Sequence, residues 1–232
     1  MKYLGGKQLI GKELAEFIKN DTQYETYFEP FCGMLGVGRH MNFDTIILND
    51  IHKDLMLLLK DLYYKTFVFP TVDEDRYERL KKSAPSPQRG YAGFLLSYGG
   101  KWFGGFSSKY GERDFHKEAE IGCKKLQADL QDKTICFENK SFEEFEPYHM
   151  CVYADPPYEN TTGYGVRFDH NKFWNIMRRW SVTNDVYISS YDAPNDFECV
   201  WEKPKRMTLS NDKSIITHER LFKLKTPKDK SV

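Results

Sequence analysis

The chemistry in this chain concentrates at Tyr153-Ala-Asp-Pro-Pro-Tyr158. An apolar run from Met150 to Ala154 reads as a buried strand and ends in a carboxylate, two prolines and an aromatic ring. Proline fixes its own φ and has no N–H for a ladder, so the chain leaves the sheet rigidly after Asp155. Ligands of open α/β sheets sit at the carboxyl ends of strands. A loop there offers the Asp155 side chain as acceptor, the Pro156 carbonyl with no competing partner, and Tyr158 as a flat face. That set suits a planar group bearing an NH2, such as a nucleobase.

A second constellation lies upstream. Phe28-Glu-Pro-Phe-Cys-Gly-Met-Leu-Gly-Val-Gly38 reads as strand, glycine loop and helix, the arrangement of a nucleoside-cofactor site. Its spacing is G-x-x-G-x-G rather than the dinucleotide G-x-G-x-x-G, so a nicotinamide site fits poorly. The next strand ends in Asn49-Asp50, where a carboxylate can accept from both hydroxyls of a ribose. Gly6-Lys-Gln-Leu-Ile-Gly-Lys12 matches the G-x-x-x-x-G-K of a phosphate loop. However, Glu13 replaces the magnesium-binding Ser or Thr, and only five residues precede the motif, which excludes an NTPase site.

These residues need a scaffold. Ile10, Leu14, Phe17 and Ile18 recur at helical spacing, and Tyr24 to Phe31 reads as a strand. Thr45 to Leu48 is a second strand, and His52 to Tyr64 a helix carrying Leu55, Leu58, Leu59 and Leu62 on one face. The order helix, strand, helix, strand, helix predicts a parallel sheet. From about Phe67 the signals change to Pro70, Pro85, Pro87, many glycines and clustered aromatics; within this region Gly90 to Tyr98 reads as helical, and Gly99-Gly-Lys-Trp-Phe-Gly-Gly-Phe106 is a glycine-rich aromatic stretch. Helix resumes over His116–Leu130, and strands over Thr134–Glu138, Val186–Ser190, Phe197–Glu202 and Arg220–Lys225, with an amphipathic helix over Phe173–Trp180. The tail from Thr226 to Val232 is polar. The expected division is a sheet domain over 1–66 and 116–232, with residues 67–115 inserted into it.

Composition sets the remaining bounds. Formal net charge is zero, so any basic surface is local, such as the 12 Lys+Arg against 7 Asp+Glu between Arg76 and Lys133. Five cysteines (Cys32, Cys123, Cys136, Cys151, Cys199) are odd in number and include no C-x-x-C, which points to reduced thiols in a cytoplasm and away from a structural zinc site. No signal region or membrane-length apolar run is present.

Taken in order, these motifs resemble those of Dam-type DNA adenine-N6 methyltransferases, over almost the whole chain. Tyr3-Leu-Gly-Gly-Lys7 resembles that family's N-terminal cofactor motif, Phe28-Glu-Pro-Phe-Cys-Gly33 its glycine loop and Asn49-Asp50 its ribose-binding acid. Asp155-Pro-Pro-Tyr158 resembles its catalytic tetrapeptide, Val186-Tyr-Ile-Ser-Ser-Tyr191 the strand that follows, and Glu219-Arg-Leu-Phe222 its closing element. Two positions depart from the pattern. Ser141-Phe142 stands where relatives often carry an acid before the Phe, and Phe103-Gly104-Gly105 where they often have Phe-Asn-Gly.

The resemblance implies a Rossmann-like, mostly parallel sheet with an antiparallel last strand and an inserted target-recognition region. It implies S-adenosylmethionine as donor, no metal, and double-stranded DNA as partner. Asp155, Pro156 and Tyr158 become catalytic. Tyr3, Gly5, Gly6, Lys7, Glu29, Pro30, Phe31, Cys32, Gly33, Asp50, Phe142 and Asp155 become cofactor contacts, and Lys101, Trp102, Phe103, Lys109 and Arg113 DNA contacts. The implied reaction methylates N6 of a flipped adenine, in a monomer or weak dimer in the cytoplasm of a bacterium or phage-infected host. The setting would be restriction–modification or an orphan, phage-type enzyme. Cytosine-N4 enzymes usually place Ser before Pro-Pro, and glutamine methyltransferases Asn, so Asp155 argues against both; RNA adenine is the remaining nucleic-acid alternative. A catalytically idle S-adenosylmethionine- or DNA-binding protein is disfavoured because every motif residue the chemistry needs is present.

Overall fold

The computed structural model describes residues 6–107, 109–110, 113–157, 168–210 and 213–225, except the side chains of 109–110, 206–210 and 213–216. Helix α1 (Gly11–Asp21) precedes β1 (Thr26–Glu29), β2 (Thr45–Asn49) and α2 (Lys53–Tyr63). Next come α3 (Glu74–Lys81), α4 (Pro87–Gly90) running into a π turn (Tyr91–Leu95), the two-residue strands β3 (Lys109–Tyr110) and β4 (Arg113–Asp114), and α5 (Phe115–Leu130). β5 (Ile135–Glu138), β6 (Cys151–Ala154), α6 (His170–Trp180), β7 (Asp185–Ser190), β8 (Phe197–Ser210) and β9 (Lys213–Leu224) complete it.

Seven strands form one sheet in the order β5-β2-β1-β6-β7-β9-β8. The pairs β5–β2, β2–β1, β1–β6 and β6–β7 are parallel, and β9 runs antiparallel to both β7 and β8. The expected mixed α/β sheet is therefore present, with an antiparallel hairpin rather than a single antiparallel strand at its end. From β1 the chain steps to β2 and β5 on one side, then returns to β6 on the other. That reversal makes the cleft between β1 and β6 a topological switch point.

Residues alternate between the two faces, as a pleated strand requires. Tyr27, Ile46, Leu48, Cys151, Tyr153 and Tyr187 enter the core that also takes α1, α2 and α5. Phe28, Val152, Ala154, Val186 and Ile188 face the opposite core with Phe173, Ile176, Met177 and Trp180 of α6. Covering both faces explains why β6 reads as an unbroken apolar run.

One expected helix is missing. Between β1 and β2 the glycine loop leads only to turns and a short 3₁₀ turn (Gly38–His40). Gly33 and Leu35 adopt positive φ (47° and 53°), which interrupts any helical hydrogen-bond ladder here. Conversely, α3 and the long β8–β9 hairpin exceed what the sequence pattern announces.

Residues 67–107 do not form a core of their own. Tyr77, Tyr91, Phe94, Leu96 and Phe103 join the core of Leu55, Leu58 and Leu62 on α2. Buried Asp54 fastens the junction by accepting from Ser86 N (2.9 Å) and Arg89 Nη1 (2.8 Å).

Candidate active site

Asp155 leaves β6 at the switch point, between the ends of β1 and β7. Its two carboxylate oxygens accept from Lys7 Nζ at 2.8 and 2.9 Å. Lys7 Nζ also lies 3.6 Å from Oε2 of Glu219 on β9. The Asp155 side chain is 18% exposed, whereas those of Lys7 and Glu219 are each 4% exposed. The Asp155 carboxylate is thus the more open of the three, with its charge partners behind it. Burial alone would lower the Lys7 pKa, but the negative charges of Asp155 and Glu219 outweigh it and hold the ammonium above its usual range. Glu219 shifts the other way: burial pushes it up, and Lys7 and Lys205 pull it below the ordinary carboxylate value.

Glycines place Lys7 there. A Cβ on Gly36 would stand 2.8 Å from Lys7 N, closer than real contacts allow, so only glycine lets the N-terminal segment cross the loop. Gly11, the second glycine of the phosphate-loop-like pattern, packs on Gly36 in the same way, so the pattern is spent on packing.

The ends of β1 and β2 are tied by polar bonds. Gly33 N donates to Asp50 Oδ2 (3.1 Å) and His52 N to Oδ1 (2.9 Å). Each carboxylate oxygen has a second lone pair, so Asp50 can still accept from hydroxyls. Burial raises the Asp50 pKa, and those two backbone donors oppose the rise. Asn49 does what the sequence did not reveal. Its Nδ2 donates to the carbonyls of Pro30 (3.0 Å) and Lys140 (3.1 Å), and its Oδ1 accepts from Lys140 N (3.1 Å). Cys32 N adds a bond to the Asn49 carbonyl (2.9 Å). One buried amide therefore holds together the loops after β1, β2 and β5.

Glu29 is fully inside the fold. Tyr27 Oη donates to its Oε2 at 3.0 Å. Burial drives its pKa well above the ordinary value, and the nearby Asp155 and Asp50 charges add to this, while the Tyr27 hydroxyl opposes it. Phe31 meets Phe142 at 5.0 Å between centroids and Phe168 and Phe173 at 6.0 Å, an aromatic wall beside the loops. Ser141, in place of an acid, caps the turn Phe142–Glu144: its Oγ accepts from Glu143 N (3.3 Å), and Glu144 accepts from Ser141 N (2.9 Å).

The structure thus brings together Gly6, Lys7, Glu29, Pro30, Phe31, Cys32, Gly33, Asp50, Phe142, Asp155 and Pro156 around one end of the sheet. Tyr3, Gly5 and Tyr158 lie outside the described residues. Glu219 and Asn49 were not singled out as site residues. Both fall within motifs of the family resemblance, Asn49 beside Asp50 and Glu219 at the head of the closing element, but the sequence assigns neither a partner.

The expected DNA contacts scatter. Lys101 is exposed. Phe103 is 8% exposed and packs on Tyr77 (5.0 Å) and Trp102 (4.7 Å), so its ring belongs to the core. Trp102 is half-buried between His52 (4.2 Å), Phe94 (4.6 Å) and the Arg89 guanidinium (5.1 Å). Arg113 is exposed and already pairs with both oxygens of Glu118 (2.8 and 2.7 Å). The side chain of Lys109 is not described. Tyr98, at the turn just before Lys101, is an exposed aromatic among the described residues of this segment.

Among the described residues no cluster of His, Cys, Asp and Glu has the makings of a metal site, and no helix is long and apolar enough to cross a membrane.

Residues 3–92 match the model of the D12 class N6 adenine-specific DNA methyltransferases. Over those residues, which carry the Lys7, glycine-loop and Asn49-Asp50 motifs, the match supports the resemblance to adenine-N6 methyltransferases; Asp155-Pro-Pro-Tyr158 lies beyond it. No curated protein matches the chain. Among solved structures, a protein of Pyrococcus horikoshii proposed to be an RNA methyltransferase aligns at 10% identity over 92% of this chain and 83% of its own, with TM-score 0.43. The rRNA methyltransferase AviRa of Streptomyces viridochromogenes aligns at 12% identity over 91% and 83%, with TM-score 0.37.

Proposed function

We propose that this chain transfers a methyl group from S-adenosylmethionine to N6 of adenine in duplex DNA. The observation that carries the reading is Asp155: a carboxylate at the switch point, open to the cleft and followed by two prolines.

The donor set around the loops fits the cofactor. Asp50 offers acceptors for ribose hydroxyls, Phe31 and Phe142 offer flat faces for a purine, and Glu29 offers a carboxyl that can ionise against an ammonium. Gly33 keeps the backbone low enough for close approach. Pro30 and Cys32 shape the same loop, and Tyr3, Gly5 and Gly6 would cover it. When bound, the cofactor supplies an electrophilic methyl whose bond electrons return to sulfur as the nitrogen–carbon bond forms.

The chain's own residues address a weak nucleophile. The N6 lone pair is delocalised into the adenine ring. Asp155 and the Pro156 carbonyl accept the two N–H bonds and draw the nitrogen towards sp3, pointing its lone pair along the line of transfer. Asp155 stabilises the positive charge that grows on N6, as an oxyanion hole does with signs reversed. The proton that N6 sheds passes to an Asp155 oxygen and on to water.

Adenine must leave the duplex to reach this cleft, at a cost of a few kcal/mol. Stacking on Tyr158 returns about 1–3 kcal/mol of that. Lys101 is exposed for a phosphate, and Tyr98 beside it takes the stacking role that burial denies to Phe103.

The test is transfer of labelled methyl from S-adenosylmethionine to duplex DNA, with digestion to nucleosides. Label in N6-methyladenine, lost by at least about 10³-fold in Asp155→Ala, is expected. Label in cytosine or only in RNA, or full activity in that variant, overturns the reading.

A further inference from the structure

Lys7 stands between two acids, and one alone would neutralise it. Asp155 holds the ammonium through both oxygens at 2.8 and 2.9 Å, while Glu219 Oε2 waits at 3.6 Å. The other Glu219 oxygen, Oε1, accepts from Lys205. Glu219 is too enclosed to touch a substrate, yet a buried carboxylate is costly to keep unless something requires it. What requires it is a conflict at Asp155. A carboxylate saturated by an ammonium is a poorer acceptor for the target amine. An ammonium pushed off that carboxylate would be stranded in the interior unless a second acid receives it.

Resting on the methyl-transfer reading, we infer that Glu219 is a positioning residue: it takes over the Lys7 ammonium as the target amine engages Asp155. The handover needs only a small side-chain shift, since Lys7 already faces both acids. Lys205, on the rim of β8, keeps Glu219 paired and ionised while Lys7 is on Asp155. Among the described residues, the titratable groups facing Lys7 include Asp155 after β6, Glu219 on β9 and the Tyr191 hydroxyl after β7, with Lys205 behind Glu219. Both acids hold the Lys7 proton against burial, so removing Glu219 lowers the pH at which Lys7 becomes neutral.

The experiment is steady-state methyl transfer to duplex DNA across pH for the wild-type chain, Glu219→Gln, Glu219→Asp and Lys7→Arg/Glu219→Gln. In Glu219→Gln, kcat falls on the order of tenfold, the scale for outer partners of reacting groups, with the KM for DNA within about twofold. Its kcat gains an alkaline limb at a pH where the wild type is flat. Adding Lys7→Arg removes that limb, because a guanidinium does not deprotonate. Glu219→Asp keeps the charge, loses less kcat and stays flat, which holds the inference testable should the glutamine variant not fold. An unmoved limb with a working wild-type enzyme, a matching rise in KM, or full kcat in both Glu219 variants overturns the inference alone. A wild-type chain that methylates no DNA overturns it together with the functional reading.

Discussion

The two ends of this molecule's chemistry are built differently. At the sheet, the polar groups proposed for the reaction and its cofactor are tied by short bonds between elements distant in sequence: Lys7 to Asp155, Asn49 to the Pro30 and Lys140 carbonyls, Gly33 to Asp50. Between α2 and α5, the segment placed for DNA is held by rings. Tyr77, Phe94, Trp102 and Phe103 pack on one another and on the α2 core, and Lys101 and Arg113 stay exposed outside them. Polar bonds fix direction as well as distance, which a reacting amine needs. Apolar packing fixes shape and leaves the outer surface open to change, which suits recognition.

Variants can break this contrast. The largest effect is expected from Asp155→Asn, which keeps the shape, removes the charge and lowers methyl transfer by about 10³-fold, while thermal unfolding shows the variant still folded. Phe103→Ala should do the opposite. It costs about 3–5 kcal/mol of stability in a denaturant titration, and whatever folds should retain the Asp155 chemistry. If Phe103→Ala leaves stability alone and abolishes DNA binding, its ring is at the surface and the contrast fails.

Glu29 tests the polar side through pH. Its folded pKa is raised, so its contribution to stability is complete below the unfolded carboxylate value and is lost as pH rises towards the folded one. Thermal midpoints of the wild type should therefore decline over that window, roughly from pH 5 upwards, relative to those of Glu29→Gln, which has nothing to ionise. Parallel curves would show that the Glu29 pKa is not raised in the fold. On the recognition side, Tyr98→Ala should weaken DNA binding by about 1–3 kcal/mol if the ring stacks on a base. The smallest expected effect is that of Lys101→Ala, which should reduce the slope of log affinity against log salt by about one contact's worth, roughly 0.9. An unchanged slope removes Lys101 from the phosphate contacts.

The same contrast explains what was legible beforehand. Asp155, Asp50 and Gly33 sit in short local patterns, strand followed by turn, that a single chain displays openly. The parallel order of the inner strands followed from the alternation of strands and helices. Glu219 was not legible as a partner of Lys7 because their meeting depends on β9 lying next to β7, which no local pattern specifies. The missing helix after β1 was misread because glycine spacing suggests a cofactor loop but does not reveal that Leu35 is left-handed. In the aromatic stretch, composition could not separate Phe103 inside from Tyr98 outside; the π turn (Tyr91–Leu95) and a 3₁₀ turn over Tyr98–Gly100 set which ring points inward.

The β8–β9 hairpin has one more effect. β8 is an outer strand, and an outer strand offers its spare backbone groups to any other chain that can lie alongside. Pro204, paired opposite His218, has no N–H to offer, and prolines survive in ladders only where that missing donor would have faced outwards. The other edge, β5, is only four residues long. A second copy would find one border interrupted and the other too short to zip along, so growth of this sheet from molecule to molecule is blocked at both margins.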